Sequence, residues 1–176
     1  MSEERAPAEF MEIFLQPGEC YFSDADTRLR TLLGSCVSIT MWHPARKLGG
    51  MCHYLLPTRI GQEQQTLDAR YGDEALFLLL REARQLGCRP RDFHFKVFGG
   101  ARMIEREECG GRPDVGTNNI RQAMEMLADL GIHAHGQDVG GCCARTIMLD
   151  NWSGDVWVRS SHDLAAALKG DQRLIA

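Results

Sequence analysis

The chain has no long apolar run, which argues against a membrane-spanning helix. The longest, Ala75 to Leu80, is a fraction of the about 20 residues a bilayer requires. It has no surplus of positive charge either. The net charge is −4, and lysine and arginine are scattered along the chain rather than gathered in a stripe. Nucleic acid is therefore not an expected partner, because phosphate binding needs a concentrated basic footprint. The first residues, Met1-Ser2-Glu3-Glu4-Arg5, are polar with two acids and lack the apolar core of a signal peptide. No Cys-x-x-Cys pair occurs, which weakens any zinc or dithiol-redox reading. Together these absences predict a cytoplasmic chain with no direct membrane insertion.

What is present suits one globular domain. The chain has 176 residues, 44% hydrophobic and 25% charged, long enough to bury a sizeable core. Residues 1–10 read as a flexible tail and 11–176 as the single domain. Seven cysteines stand at 20, 36, 52, 88, 109, 142 and 143. The odd number, and the strain of bridging the adjacent Cys142-Cys143, favour reduced thiols that pack as small hydrophobes.

Periodicity gives the elements. Short strands are expected at 12–15 and 20–22. Val37 to Trp42 alternates with period two, with Val37, Ile39 and Met41 on one face and Cys36, Ser38 and Thr40 on the other. A strand over Met51 to Leu56 follows Gly49-Gly50 and stops at Pro57. A helix over 74–86 is expected after an Asp73 cap, ending at Gly87. Phe93 to Phe98 is a strand, and 105–116 a mobile Gly-rich loop. A second helix, capped by Thr117 or Asn118, carries Ile120, Met124, Leu127 and Leu130 at helical spacing. A strand at 132–139, a hairpin over 146–149 and 156–158, and a short helix at 162–168 complete the chain. Strands outnumber helices, so the expected fold is α/β of the α+β type, a mixed β-sheet or sandwich flanked by helices.

Two features carry chemistry. Leu33-Gly34-Ser35-Cys36-Val37 sets a thiol in a Gly-Ser turn at the mouth of an apolar strand, and His53 follows seventeen residues later. Cysteine chemistry requires the thiolate, so backbone N–H groups and a neighbouring imidazole are expected to lower the thiol pKa. If Pro44-Ala45 is a two-residue hairpin loop, His43 faces Arg46 and Cys36 falls opposite His53 on one face. Gly pairs at 49–50, 99–100 and 140–141 adjoin strand ends and suggest a shared crevice. A metal hydrolase is the rival reading, since His133, His135, Cys142 and Cys143 could supply ligands.

The residues themselves point to a family. Thr31-Leu32-Leu33-Gly34-Ser35-Cys36-Val37 and Gly50-Met51-Cys52-His53-Tyr54-Leu55-Leu56-Pro57 resemble the two signature blocks of the chemoreceptor glutamine deamidases of bacterial chemotaxis, the CheD family. The likeness continues through Lys96 to Met103, Val115 to Ile120, and Asp138-Val139-Gly140-Gly141 with Arg145 following. The resemblance implies a hydrolase, a protein-glutamine glutaminase. Such a deamidase converts receptor glutamines to glutamate and ammonia through a cysteine nucleophile, with no metal and no cofactor. It places the nucleophile at Cys36, the histidine at His53 and the third member at Thr31. The implied fold is the α/β sandwich of deamidating bacterial toxins. Gly34 and Ser35, with Gly99, Gly100, Asn118 and Asn119, would hold the oxyanion or shape the substrate site. The implied partners are the cytoplasmic region of methyl-accepting chemoreceptors and a CheC-type phosphatase. An adaptor for either partner, with little catalysis, is the alternative.

Overall fold

The computed structural model describes residues 6–61, 66–102, 114–160 and 173–175. In chain order the elements are β1 (Met11–Phe14), β2 (Cys20–Ser23), β3 (Thr27–Leu33), β4 (Val37–His43), β5 (Leu48–Cys52), α1 (Gly72–Gln85), β6 (His94–Gly99), α2 (Val115–Asp129), β7 (Gly136–Val139), β8 (Arg145–Asp150), β9 (Val156–Ser160) and β10 (Arg173–Ile175). The strands form two five-stranded sheets, ordered β1-β3-β8-β9-β10 and β2-β5-β4-β6-β7. Each is mixed: β1 runs parallel to β3 and β6 parallel to β7, while the other neighbours are antiparallel. The helix α2 supplies the crossover that the parallel β6–β7 pair requires.

Alternation along the strands builds three layers. One face of β3 (Thr27, Leu29, Thr31, Leu33) is buried. Leu29 and Leu33 pack with Ile147, Leu149, Val156 and Val158 of their own sheet and with Met51 and Phe98 of the other. That cluster fills the space between the sheets. The opposite face of the second sheet, Val37, Ile39, Met41, Phe95 and Val97, packs on Ala75, Leu76 and Leu79 of α1 and on Ala123 and Leu127 of α2. The sandwich flanked by helices is therefore as the periodicity predicts.

Several boundaries differ from expectation, each for a physical reason. The strand after the β4 turn begins earlier, so Gly49 and Gly50 lie inside β5 rather than before it. Side chains there would collide with neighbouring layers: a Cβ on Gly50 would meet Leu79 of α1 and Phe22 at 2.8 Å. The β4–β5 loop has four residues, Pro44 to Lys47, with Lys47 at φ 53°, and His43 pairs with Leu48 instead of Arg46. Helix α1 starts after Tyr71, without a side-chain cap, and Asp73 lies in its first turn. Helix α2 is capped by Asp114, whose carboxylate accepts from the Thr117 N–H at 2.9 Å. Strand β7 is shorter than the 132–139 expected. The expected helix at 162–168 and most of the 105–116 loop lie outside the described residues.

A buried asparagine ties the two sheets together. Asn151, fully buried after β8, donates from Nδ2 to Ser23 Oγ at 2.9 Å and to the Gly49 carbonyl at 3.4 Å. A Cβ on Gly49 would strike Asn151 Oδ1. Gly49→Ala should therefore destabilise the fold by about 1–3 kcal/mol, through overpacking and a disrupted buried amide. Urea unfolding tests this, and wild-type stability would contradict it.

Candidate active site

Thr31 and His53 come from different sheets and meet in the layer between them. Thr31 Oγ1 lies 2.7 Å from His53 Nδ1 and 2.8 Å from the Leu15 carbonyl, and both side chains are buried. A carbonyl can only accept, so the Thr31 hydroxyl donates to Leu15 and its lone pair receives Nδ1–H. The neutral ring then carries its proton on Nδ1 and leaves Nε2 bare. The backbone of His53 is fixed as well: its N–H donates to the Glu19 carbonyl at 2.8 Å, and its carbonyl accepts from the Gly18 N–H at 2.7 Å.

Cys36 lies on the same face as His53, although the register differs from expectation. Thr40 pairs with Met51, and Val37 bridges Tyr54, so Cys36 falls opposite Leu55. The slip is two residues, an even number, and facing is preserved. Cys36 and His53 are thus diagonal neighbours on the inter-sheet face, within reach of long side chains. Cys36 packs against the cluster between the sheets while remaining partly exposed.

The turn that carries Cys36 is held by its carbonyls. Gly34 O accepts from Ala101 N–H and Cys36 O from Gly100 N–H, each at 2.8 Å. Asn119 of α2 donates from Nδ2 to Ser35 O at 3.1 Å and to Leu55 O at 2.8 Å. One buried side chain therefore joins the turn bearing Cys36 to the segment just after His53. The Tyr54 hydroxyl in turn donates to the Asn119 carbonyl at 2.6 Å.

Gly99 (φ 102°) and Gly100 (φ 68°) need glycine, because a Cβ on Gly99 would strike Cys36 O and one on Gly100 would press on Ile120. The Gly100 N–H is committed to Cys36, and Gly99 O accepts from Gly140 N–H at 2.8 Å. Two of the three Gly pairs therefore converge beside Cys36, while Gly49-Gly50 does not. Gly140-Gly141 is braced by the buried guanidinium of Arg145, which donates to Gly140 O and pairs with Asp138. Asn118 Oδ1 accepts from Arg121 at 3.1 Å.

Burial sets the charge states. It pushes His53 down from 6.5 to about 4, opposed by the Leu15 carbonyl and Glu19. It also raises the Cys36 thiol, opposed by that residue's own backbone N–H. The expected lowering of the thiol is thus absent, and the resting pair is neutral thiol with neutral imidazole. Burial pushes Cys20 to about 11 and Cys52 to about 12, which makes both inert thiols.

One residue of the metal reading, His135, serves another end. Its Nδ1 accepts from the Phe95 N–H at 3.2 Å, and its ring stacks on His94 at 4.4 Å. Among the described residues no group of three or more His, Cys, Asp or Glu side chains could hold a metal ion. A cleft between the β1–β2 connection and α1 includes Leu15, Gly18 and Glu19, but none of Thr31, Cys36 and His53. Sequence reasoning missed the Leu15 carbonyl and the clamp role of Asn119. Neither has a side-chain signature, since one is a backbone acceptor and the other depends on where α2 docks.

Residues 55–160 match the family model described as CheD chemotactic sensory transduction. The chain is 47% identical over 151 residues to the probable chemoreceptor glutamine deamidase CheD 1 of Chromobacterium violaceum, covering 86% of this chain and 78% of that protein. It is 47% identical over 156 residues to the probable chemoreceptor glutamine deamidase CheD of Pseudomonas fluorescens, covering 88% of each. It is 44% identical over 153 residues to the probable chemoreceptor glutamine deamidase CheD 3 of Dechloromonas aromatica, covering 87% of this chain and 89% of that one.

The low pKa of His53 has a consequence for stability. Its folded value lies below its unfolded one, so between pH 6.5 and about 4 the unfolded chain binds a proton that the folded one refuses. Stability is then lost as pH falls through that window. From pH 6.5 to 4.5 the wild type should lose about 2 kcal/mol more than His53→Gln. Urea unfolding at the two pH values tests this, and equal losses would contradict the buried neutral imidazole.

Proposed function

The chain belongs to the CheD family, and from that premise we propose that it hydrolyses glutamine side-chain amides on chemoreceptors to glutamate and ammonia. The observation that carries the proposal is the buried His53, its Nδ1–H received by Thr31 and its bare Nε2 on the face that bears Cys36.

With both groups neutral at rest, His53 acts as a general base. As the Cys36 sulfur attacks the glutamine Cδ, Nε2 takes the thiol proton and the S–H bond breaks. The Cys36 and Gly34 N–H groups receive the oxyanion. The imidazolium then gives its proton to the departing nitrogen, ammonia leaves, and a thioester remains. A water, deprotonated by the same Nε2, attacks the thioester and releases glutamate with the thiol restored. Thr31 keeps the ring in the one tautomer that can begin this cycle. Asn119, with both amide hydrogens committed, acts as a positioning residue.

The cytoplasmic region of a methyl-accepting chemoreceptor is the substrate under this proposal, and a CheC-type phosphatase is proposed as the second partner. No helix among the described residues is long and apolar enough to cross a membrane.

The test is incubation of wild type and Cys36→Ala with a receptor cytoplasmic fragment, reading ammonia and peptide mass. Wild type should release ammonia and leave converted peptides about 1 Da heavier, while Cys36→Ala does neither. Equal conversion by both would defeat Cys36 as nucleophile. Binding without conversion by either would favour the adaptor reading.

A further inference from the structure

Two buried polar atoms on the inter-sheet face have no hydrogen-bond partner among the described residues: His53 Nε2 and Ser38 Oγ. Ser38 is fully buried in β4. It lies opposite Phe98 on one side. On the other side the β4–β5 register, constant from His43–Leu48 to Val37–Tyr54, sets it directly opposite His53. Residues across from each other in one register share a face. The strands part at the next pair, where the Ile39 N–H turns to Cys52 Sγ at 3.4 Å. A buried polar atom without a partner costs about 1–3 kcal/mol, so a serine held in this position calls for an explanation.

We propose that Ser38 is a positioning residue that receives the Nε2–H of His53 once the ring has taken the Cys36 proton. The proposal rests on Cys36 and His53 being nucleophile and base. The proton path gives such a group a role without changing the balance. Thr31 already occupies the Nδ1 side, so the proton from sulfur forms a new N–H at Nε2. While the thiolate persists, it accepts that N–H. Once the sulfur has bonded to the substrate carbon, the thiolate is gone and the imidazolium is left in a buried site. A hydroxyl can rotate from donor to acceptor. The Ser38 oxygen then holds the N–H until it passes to the departing nitrogen, and no electron leaves the system.

The test compares full-length Ser38→Ala, Thr40→Val and His53→Ala with wild type. It reads iodoacetamide labelling mapped to Cys36, together with kcat and KM on a receptor fragment. Thr40 is the control, a buried hydroxyl on the same face whose Oγ1 donates to the Lys96 carbonyl at 3.5 Å. Ser38→Ala should slow labelling and kcat by about five- to tenfold with KM within about twofold. Thr40→Val should leave both unchanged, and His53→Ala should slow both further. Wild-type labelling and kcat in Ser38→Ala, with His53→Ala impaired, would overturn the role of Ser38. So would an equal loss in Thr40→Val, which would reduce the effect to packing. Unimpaired labelling in His53→Ala would instead remove the base reading beneath it.

Discussion

The site depends on one hydrogen bond between sheets, from His53 Nδ1 to Thr31 Oγ1 at 2.7 Å. It can form only if β3 turns Thr31 inward, if the sheets pack at the spacing that Leu29, Leu33, Met51 and Phe98 enforce, and if Leu15 presents its carbonyl to the threonine. The carbonyl gives the contact its direction. By taking the hydroxyl proton, it makes Thr31 an acceptor and so selects the tautomer with a free Nε2. Packing between two sheets is in this way converted into the protonation pattern of one imidazole.

The remaining parts keep Cys36 in register with that imidazole. Gly100 and Ala101 fasten the turn from the end of β6, Asn119 fastens it from α2, and the same asparagine reaches the chain beyond His53. A glycine pair is needed where β6 ends because the Cys36 carbonyl passes too close for a side chain. Burial also keeps the resting pair uncharged, since it raises the thiol and lowers the imidazole. Such a thiol is a poor target for adventitious oxidants and gains its nucleophilicity only as Nε2 removes its proton.

Much of this was legible in the sequence, for reasons that can be stated. The period-two pattern of Val37 to Met41 assigned Cys36 and Ser38 to one face and the apolar residues to the other, and packing on α1 and α2 follows that division. Helical spacing of Ile120, Met124 and Leu127 gave α2. The shared face of Cys36 and His53 was legible even though the loop length was not, because an error of two residues leaves facing unchanged. What could not be read were contacts that depend on docking between layers. No local pattern announces that Gly49 lies under Asn151, that Asn119 spans two segments, or that Leu15 offers a carbonyl to Thr31. The thiol field was misjudged for the same reason: a Gly-Ser turn suggests nearby N–H groups, but only the assembled layers reveal how much burial opposes them.

The most direct measurement is nitrogen-15 NMR of the His53 ring in the resting protein, followed from neutral pH downward. A neutral imidazole should be seen, protonated at Nδ1 and bare at Nε2, persisting well below pH 6.5 and titrating near the value of about 4 that burial imposes. A ring protonated at Nε2 instead, or an imidazolium already formed at neutral pH, would contradict the inter-sheet bond as the origin of the base.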